Sequence, residues 1–175
     1  MIIMINGAFG VGKTSVAGAL LNTIENSMLY DPEEVGFMLR NIVTNEIMKE
    51  AEKTGDFQDL ELWKVLTVKV AESLKTTYNK TLIVPMTIYK KENFEYILNG
   101  FKQMDIDTYH FCLLGQEETI YERLRKRGEE EGNWCFQQTQ KCIVAFKDKC
   151  FADYIHTDDM TIADIVRRIK DKVKG

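Results

Sequence analysis

Residues Gly7 to Thr14, GAFGVGKT, constrain this chain more than any other segment. The apolar run Ile2, Ile3, Met4, Ile5 precedes them, and a helix-forming stretch, 15–21, follows. The order strand, G-x-x-x-x-G-K-[ST], helix is that of a Walker A phosphate-binding loop. Its glycines let the backbone curl so that successive N–H groups converge on a phosphate. The helix that starts there adds unpaired donors and the positive end of its dipole. The expected nucleotide-binding set is Gly7, Ala8, Phe9, Gly10, Val11, Gly12, Lys13, Thr14 and Ser15. Lys13 supplies a point charge for the β- and γ-phosphates. The Thr14 hydroxyl is a ligand for Mg²⁺. A Gly-rich turn that only starts a helix is the plain alternative, and it leaves the strand, the spacing and the helix former as coincidences.

Such a loop needs a parallel sheet around it, and the remaining patterning supplies one. Short apolar runs alternate with longer helical stretches, which predicts an α/β domain with helices on both faces of the sheet. Strands are expected at 2–6, 27–30, 81–86, 109–114 and 154–156. Asp31-Pro32-Glu33-Glu34 reads as a helix start: Asp31 as N-cap, Pro32 at the first helical position, the glutamates complementing the dipole. That helix is expected to run to about Lys53, with Gly55 at its end. Further helices are expected at 59–77, with an inward stripe through either Leu62 or Trp63, and at 92–103, 116–127 and 134–149. Thr161 and Asp164 have capping-box spacing at the start of the last helix. Pro85 lacks a ladder donor and should mark the end of its strand. Strand order is not legible from these patterns.

With 175 residues and no Pro/Gly/Ser linker, the chain reads as a single domain, 1–175, with a small inserted lid at about 124–138. The net charge of −4 argues against duplex nucleic acid as the main partner. The four cysteines have no C-x-x-C spacing, and there are only two histidines, so a zinc site is not expected. A strand beginning at Ile2 leaves no room for a signal peptide, and free thiols in a reducing cytoplasm are the expected setting. No apolar run approaches the roughly 20 residues needed to cross a bilayer.

The residues beyond the loop narrow the class. No N-K-x-D guanine reader is present, since Asn79-Lys80 is followed by Thr81-Leu82, and no D-x-x-G switch either. No apolar strand ends in paired acids, and the chain is short for a remodelling ATPase with its helical lid domain. Arg123 and Arg127 are four apart at a helix end and share a face. Small P-loop kinases use such arginines in a lid that neutralises charge on the transferred phosphoryl group. Arg127 is the stronger candidate, and a solvated basic helix end is the alternative. Gly128 and Gly132 flank three glutamates in a segment suited to a mobile loop. Asp31, after the second strand, is placed to polarise an acceptor hydroxyl or hold Mg²⁺ through water, a role compatible with capping. Arg40, roughly two and a half turns further on, is a candidate acceptor clamp, with a surface ion pair as the alternative. Thr87 and Tyr89 follow the third strand and are candidates for the acceptor pocket. Phe57 and Trp63 suit stacking on a ring or, more simply, core packing. His156-Thr157-Asp158 forms the turn that commonly passes a nucleotide base in this architecture.

INGAFGVGKT, YDPEEVGFMLR (30–40), LIVPMT (82–87), the E-x-L-x-x-R helix and HTDDMTIADI together resemble the bacterial tunicamycin-resistance ATP-binding proteins. The resemblance runs over most of the chain. It implies a nucleoside/nucleotide-kinase-like fold, ATP as ligand, and resistance to a uridine-containing antibiotic by binding or modification. It supports Asp31 and Arg40 as facing the acceptor and nominates Thr87. Members of that family can carry a longer C-terminal tail linked to membrane association. Here the sequence ends at Gly175, after the basic run Arg167, Arg168, Lys170, Lys172, Lys174. Those charges mix with apolar residues at helical spacing; a closing helix packed on the sheet is the expectation, and a membrane-surface helix the alternative. Three functions stay open. The first is a Mg-ATP-dependent phosphotransferase acting on a nucleoside-like acceptor or antibiotic. The second is an ATP-dependent binder that sequesters a drug or metabolite. The third is a nucleotide salvage kinase, which lacks a D-G-F-P-R segment here.

Overall fold

The first strand, β1 (Ile2–Gly7), occupies the centre because it has nothing to show to water. Ile2, Ile3, Met4 and Ile5 are fully buried in a computed structural model that describes residues 1–173. An all-apolar strand is stable only when both faces are covered and both edges paired. β1 pairs in parallel with β3 (Thr81–Met86) on one side and β4 (Thr108–Leu114) on the other. β2 (Ser27–Leu29) and β5 (Tyr154–His156) close the edges, giving the order β2-β3-β1-β4-β5. Helices α1 (Lys13–Leu21) and α7 (Ile162–Val173) pack together as one layer. Helices α3 (Glu61–Tyr78) and α4 (Lys91–Met104) pack together as the other.

Pro85 illustrates how the sheet tolerates a missing donor. Tyr30 N–H donates to Ile83 O at 2.9 Å, so the odd-numbered residues of β3 address β2. β2 stops at Leu29, and the N–H that Pro85 lacks would point past its end. The strand runs to Met86, its expected last residue, with Pro85 opposite Ile5.

Helix α2 (Pro32–Ile42) starts as expected: Asp31 Oδ1 accepts from Glu33 N–H at 2.9 Å, and Pro32 occupies the first turn. Its end does not match the expectation. The helix stops eleven residues short of Lys53, at the β-branched run Ile42-Val43-Thr44, whose crowded side chains weaken helix propagation. Val43 is already extended (φ −91°, ψ 100°), and the chain folds back through single 3₁₀ turns at Glu50–Glu52 and Phe57–Asp59. Gly55, with φ +80°, ends no helix but lets this return segment turn. In α3 Trp63 rather than Leu62 faces the core, and the buried line runs on through Thr67 and Ala71 instead of the expected Leu66 and Val70, which are only half-buried.

Helix α5 (Glu117–Lys126) leads through a short turn into α6 (Trp134–Ala145), which ends four residues before the expected Lys149. At α7, Thr161 and Asp164 exchange reciprocal capping bonds, Asp164 N–H to Thr161 Oγ1 and Thr161 N–H to Asp164 Oδ2, both 3.2 Å. Ile165, Val166 and Ile169 are buried beneath that helix, the arrangement of a closing helix. Lys174 lies outside the described residues. No helix among those residues is long and apolar enough to cross a membrane.

Candidate functional site

The end of β1 is tied to the chain after β3 before the phosphate loop begins. Asn6 Oδ1 accepts from Gly7 N–H (2.8 Å) and Ile88 N–H (2.9 Å), and its Nδ2 donates to Ile88 O at 2.9 Å. A fully buried asparagine with its amide satisfied on both sides makes a rigid base for the loop. Gly7 has φ +152°, and a Cβ there would lie 2.8 Å from both Leu113 O and Val11 Cγ1. No other residue fits that position.

Lys13 opens α1. Its ammonium donates to Ala8 O at 2.9 Å and lies 5.4 Å from the centre of the Phe9 ring. Burial of the ammonium lowers its pKa to about 8, against the opposing pull of Glu33 and with a further push from Arg127. The residue as a whole keeps some contact with solvent, so the burial belongs to the head group at the pocket floor rather than to the stem.

A pocket of about 170 Å³ gathers Lys13, Thr14, Asp31, Glu33 and Arg127, with Phe9 and Pro85 completing its wall. Four of those five polar residues were expected there. Glu33 is the addition: the sequence showed it as a charge complementing the helix dipole. Its signal was the D-x-E spacing directly after a strand, which puts two carboxylates at one helix N-terminus. Burial raises the pKa of Glu33, and the neighbouring Asp31 charge raises it further. Burial also raises Asp31, while the capping bond from Glu33 N–H holds it down. The two acids therefore compete over which of them carries charge.

The two arginines separate because α5 ends between them. Arg127 is the C-cap and lines the pocket. Arg123 donates from Nη1 to Val11 O (3.2 Å) and Thr157 Oγ1 (3.3 Å), bracing the loop against the turn after β5. In that turn Asp158 Oδ1 accepts from Gln116 N–H at 2.8 Å, and His156 is exposed beside a cleft of about 290 Å³.

A larger cleft, about 720 Å³, lies beside the phosphate loop rather than at it. Its walls include Arg40, Asp56, Phe57 and Leu60 from α2 and the return segment, and Trp134 from α6. Trp134 also meets Phe9 of the loop edge-on, with ring centres 5.4 Å apart. Arg40 donates to Gly55 O at 2.6 Å and lies over the Phe57 ring at 5.2 Å, with no surface ion pair among the described residues. Phe57 fits because residue 36 is glycine; a Cβ there would come within 2.5 Å of the ring. Glu33 and Arg40 are seven residues apart on α2, about 10 Å along the axis, so one helix joins the two pockets. Thr87 is buried at the end of β3 and lines neither pocket. Tyr89 donates to Asp56 Oδ2 at 2.7 Å. Trp63 is core, its Nε1 donating to Pro32 O at 3.0 Å, whereas Phe57 is wall.

A Walker A loop at the carboxyl end of a central parallel strand, with strand order 2-3-1-4-5, defines a P-loop α/β protein of the kinase-like kind. The chain belongs to the AAA domain family, which it matches over residues 3–140. It is similar to the tunicamycin resistance protein of Deinococcus radiodurans, with 27% identity and a TM-score of 0.79 over 98% of this chain and 94% of that one. A gluconokinase from Sinorhizobium meliloti shares the fold at 16% identity and TM-score 0.65, covering 98% of this chain and 90% of its own. So does a shikimate kinase from Acinetobacter baumannii, at 16% identity and TM-score 0.66, covering 99% and 92%. No curated protein matches the sequence significantly.

Proposed function

We propose that this protein transfers the γ-phosphoryl group of ATP to a hydroxyl of a nucleoside-like small molecule or antibiotic. The observation that carries the reading is the convergence of Lys13, Thr14, Asp31, Glu33 and Arg127 on one pocket, with a larger cleft beside it. The kinase folds of its structural relatives and its 27% identity to a tunicamycin resistance protein support it.

In this reading the backbone N–H groups of residues 7–14 and the start of α1 hold the ATP phosphates. Lys13 leaves Ala8 O for the β- and γ-phosphates. Thr14, exposed at the start of α1, would offer a hard oxygen to Mg²⁺, and Asp31, in the wall of the same pocket, would accept from a water bound to it. When bound, the metal neutralises charge on the phosphates. The acceptor hydroxyl enters from the large cleft. Glu33, whose carboxyl is made more basic by burial and by the neighbouring Asp31 charge, takes its proton, with Asp31 as the alternative proton acceptor. The acceptor oxygen forms a bond to the γ-phosphorus, the bond to the β,γ-bridging oxygen breaks, and ADP leaves. Arg127 stabilises the charge on the migrating group, and Arg40 anchors the far end of the acceptor. Residues 124–138 act as the lid, with Trp134 as its contact on the loop.

Mass spectrometry of products after incubation with Mg-ATP tests this reading, using nucleosides, nucleoside monophosphates and tunicamycin as acceptors. A phosphate adduct on one acceptor, absent with Lys13→Ala, is the expected result. Mutual tightening of ATP and one ligand without an adduct would replace the kinase with a sequestering binder.

A further inference from the structure

Two aromatic residues line the large cleft, Phe57 and Trp134, and only one of them has a face to offer. Phe57 is 8% exposed, and its ring is enclosed by Arg40 at 5.2 Å, Trp63 at 5.3 Å and Phe37 at 6.3 Å. Trp134 is 42% exposed, and among the described residues its ring meets one other, Phe9, in a T-shaped contact. Such a contact covers at most one face of the indole. The helix explains the exposure. Asn133 caps α6, its Oδ1 accepting from Phe136 N–H at 3.3 Å, and Phe136 is buried with its ring centre 5.1 Å from that of Tyr121. Residues two apart on a helix point about 200° apart, so anchoring Phe136 inward turns Trp134 outward.

Phe9 belongs to the other pocket. It lines the phosphate site, its ring lies 5.4 Å from the Lys13 ammonium, and its carbonyl is 3.5 Å from Thr139 Oγ1 of α6. The Phe9–Trp134 pair is therefore a direct contact between the walls of the two pockets.

We propose that Trp134 is a specificity-determining residue that stacks on a planar ring of the acceptor, and that its contact with Phe9 makes this stacking and ATP binding strengthen each other. The proposal rests on the kinase reading and names its acceptor class: a hydroxyl compound bearing a nucleobase. A sugar also lies well on an indole, but its hydroxyls then need free hydrogen-bond acceptors around the rim. Both carboxylates of this cleft are engaged. Glu52 accepts from the N–H groups of Lys49 and Glu61, and Asp56 accepts from Gln58 N–H and the Tyr89 hydroxyl. Arg40 commits one N–H to Gly55 O and keeps other donors, which match the carbonyl oxygens and ring nitrogens of a base.

The experiment is calorimetric titration of the whole chain with Mg²⁺ and a non-hydrolysable ATP analogue. The probes are uridine, cytidine, adenosine and guanosine, set against methyl riboside, which has a ribose ring and no base. Tryptophan emission is followed in parallel. Trp63 is 1% exposed with its Nε1 bonded to Pro32 O, so a change on binding reports Trp134. With the analogue bound, at least one nucleoside is expected to bind about tenfold or more tightly than methyl riboside and to change the emission. Trp134→Leu should weaken that nucleoside by about tenfold or more, the usual contribution of a base stacked on an aromatic side chain, and Trp134→Phe should recover most of the loss. The analogue should bind about fivefold or more tightly when the nucleoside is present, and Phe9→Leu should abolish that enhancement.

No nucleoside bound, methyl riboside bound as tightly as the best nucleoside, or unchanged affinity in Trp134→Leu would each overturn the stacking. An analogue affinity that the nucleoside leaves unchanged or weakens, or an enhancement that survives Phe9→Leu, would overturn the link to ATP. The kinase reading fails separately, by the absence of any phosphate adduct in the product screen.

Discussion

The phosphate pocket and the large cleft beside it are built by opposite strategies. The pocket is local: one strand, one turn and one helix, residues 2–21, make most of it, and its geometry is backbone geometry. The cleft is assembled from α2, a return segment without long helices, and α6, some ninety residues further on. A backbone site tolerates few substitutions and recognises what every nucleotide has in common. A site of side chains from separate segments can change its ligand without disturbing the sheet. Helix α2 joins them, with Glu33 in one and Arg40 in the other.

If the two regions divide the work in this way, substitutions should separate nucleotide binding from acceptor turnover. The largest effect belongs to Lys13→Ala. Loss of the charge aimed at the phosphates should cut turnover by about 10²–10³-fold or more, measured as product per enzyme, while the melting temperature holds. Asp31→Asn comes next: asparagine caps α2 as well as aspartate does, so stability should stay within about 0.5 kcal/mol while turnover falls more than ATP affinity. Unchanged turnover would leave Asp31 as a cap alone. Gly36→Ala acts on the cleft only. The added methyl must displace the Phe57 ring, at a cost of about 1–3 kcal/mol in chemical denaturation, with ATP affinity retained.

The smallest effect is protonic. Below pH 8 Lys13 is charged with or without ATP; above it the ammonium loses its proton in the free protein, and bound phosphates restore it. ATP binding at pH 8.5 should take up a fraction of a proton, read from calorimetry in buffers of different ionisation enthalpy. Affinity should fall as pH rises further, and at pH 6.5 the uptake should vanish.

The same contrast explains what the sequence disclosed. The five strands and the phosphate loop were legible because their signals are contiguous: an apolar run, a fixed spacing, a cap such as Asp31-Pro32. The sheet order was not, since pairing between β1 and β3 depends on segments some eighty residues apart. The return after Ile42 was misread as helix because its apolar residues keep helical spacing, while three β-branched residues and the need to seat Phe57 on Gly36 decide otherwise. Glu33 was visible as a charge, but its place opposite Lys13 follows only from where α2 begins relative to the loop. The parting of Arg123 from Arg127 turns on a single helix terminus.

The most direct test of the division is Glu33→Gln, which keeps shape and removes the base. With the acceptor identified by the product screen, turnover should fall by about 10²–10⁴-fold, the worth of general base catalysis, while the dissociation constant for the ATP analogue stays within about threefold. Unchanged turnover, or an equal loss of both, would contradict the role of Glu33 as the base in the phosphate pocket.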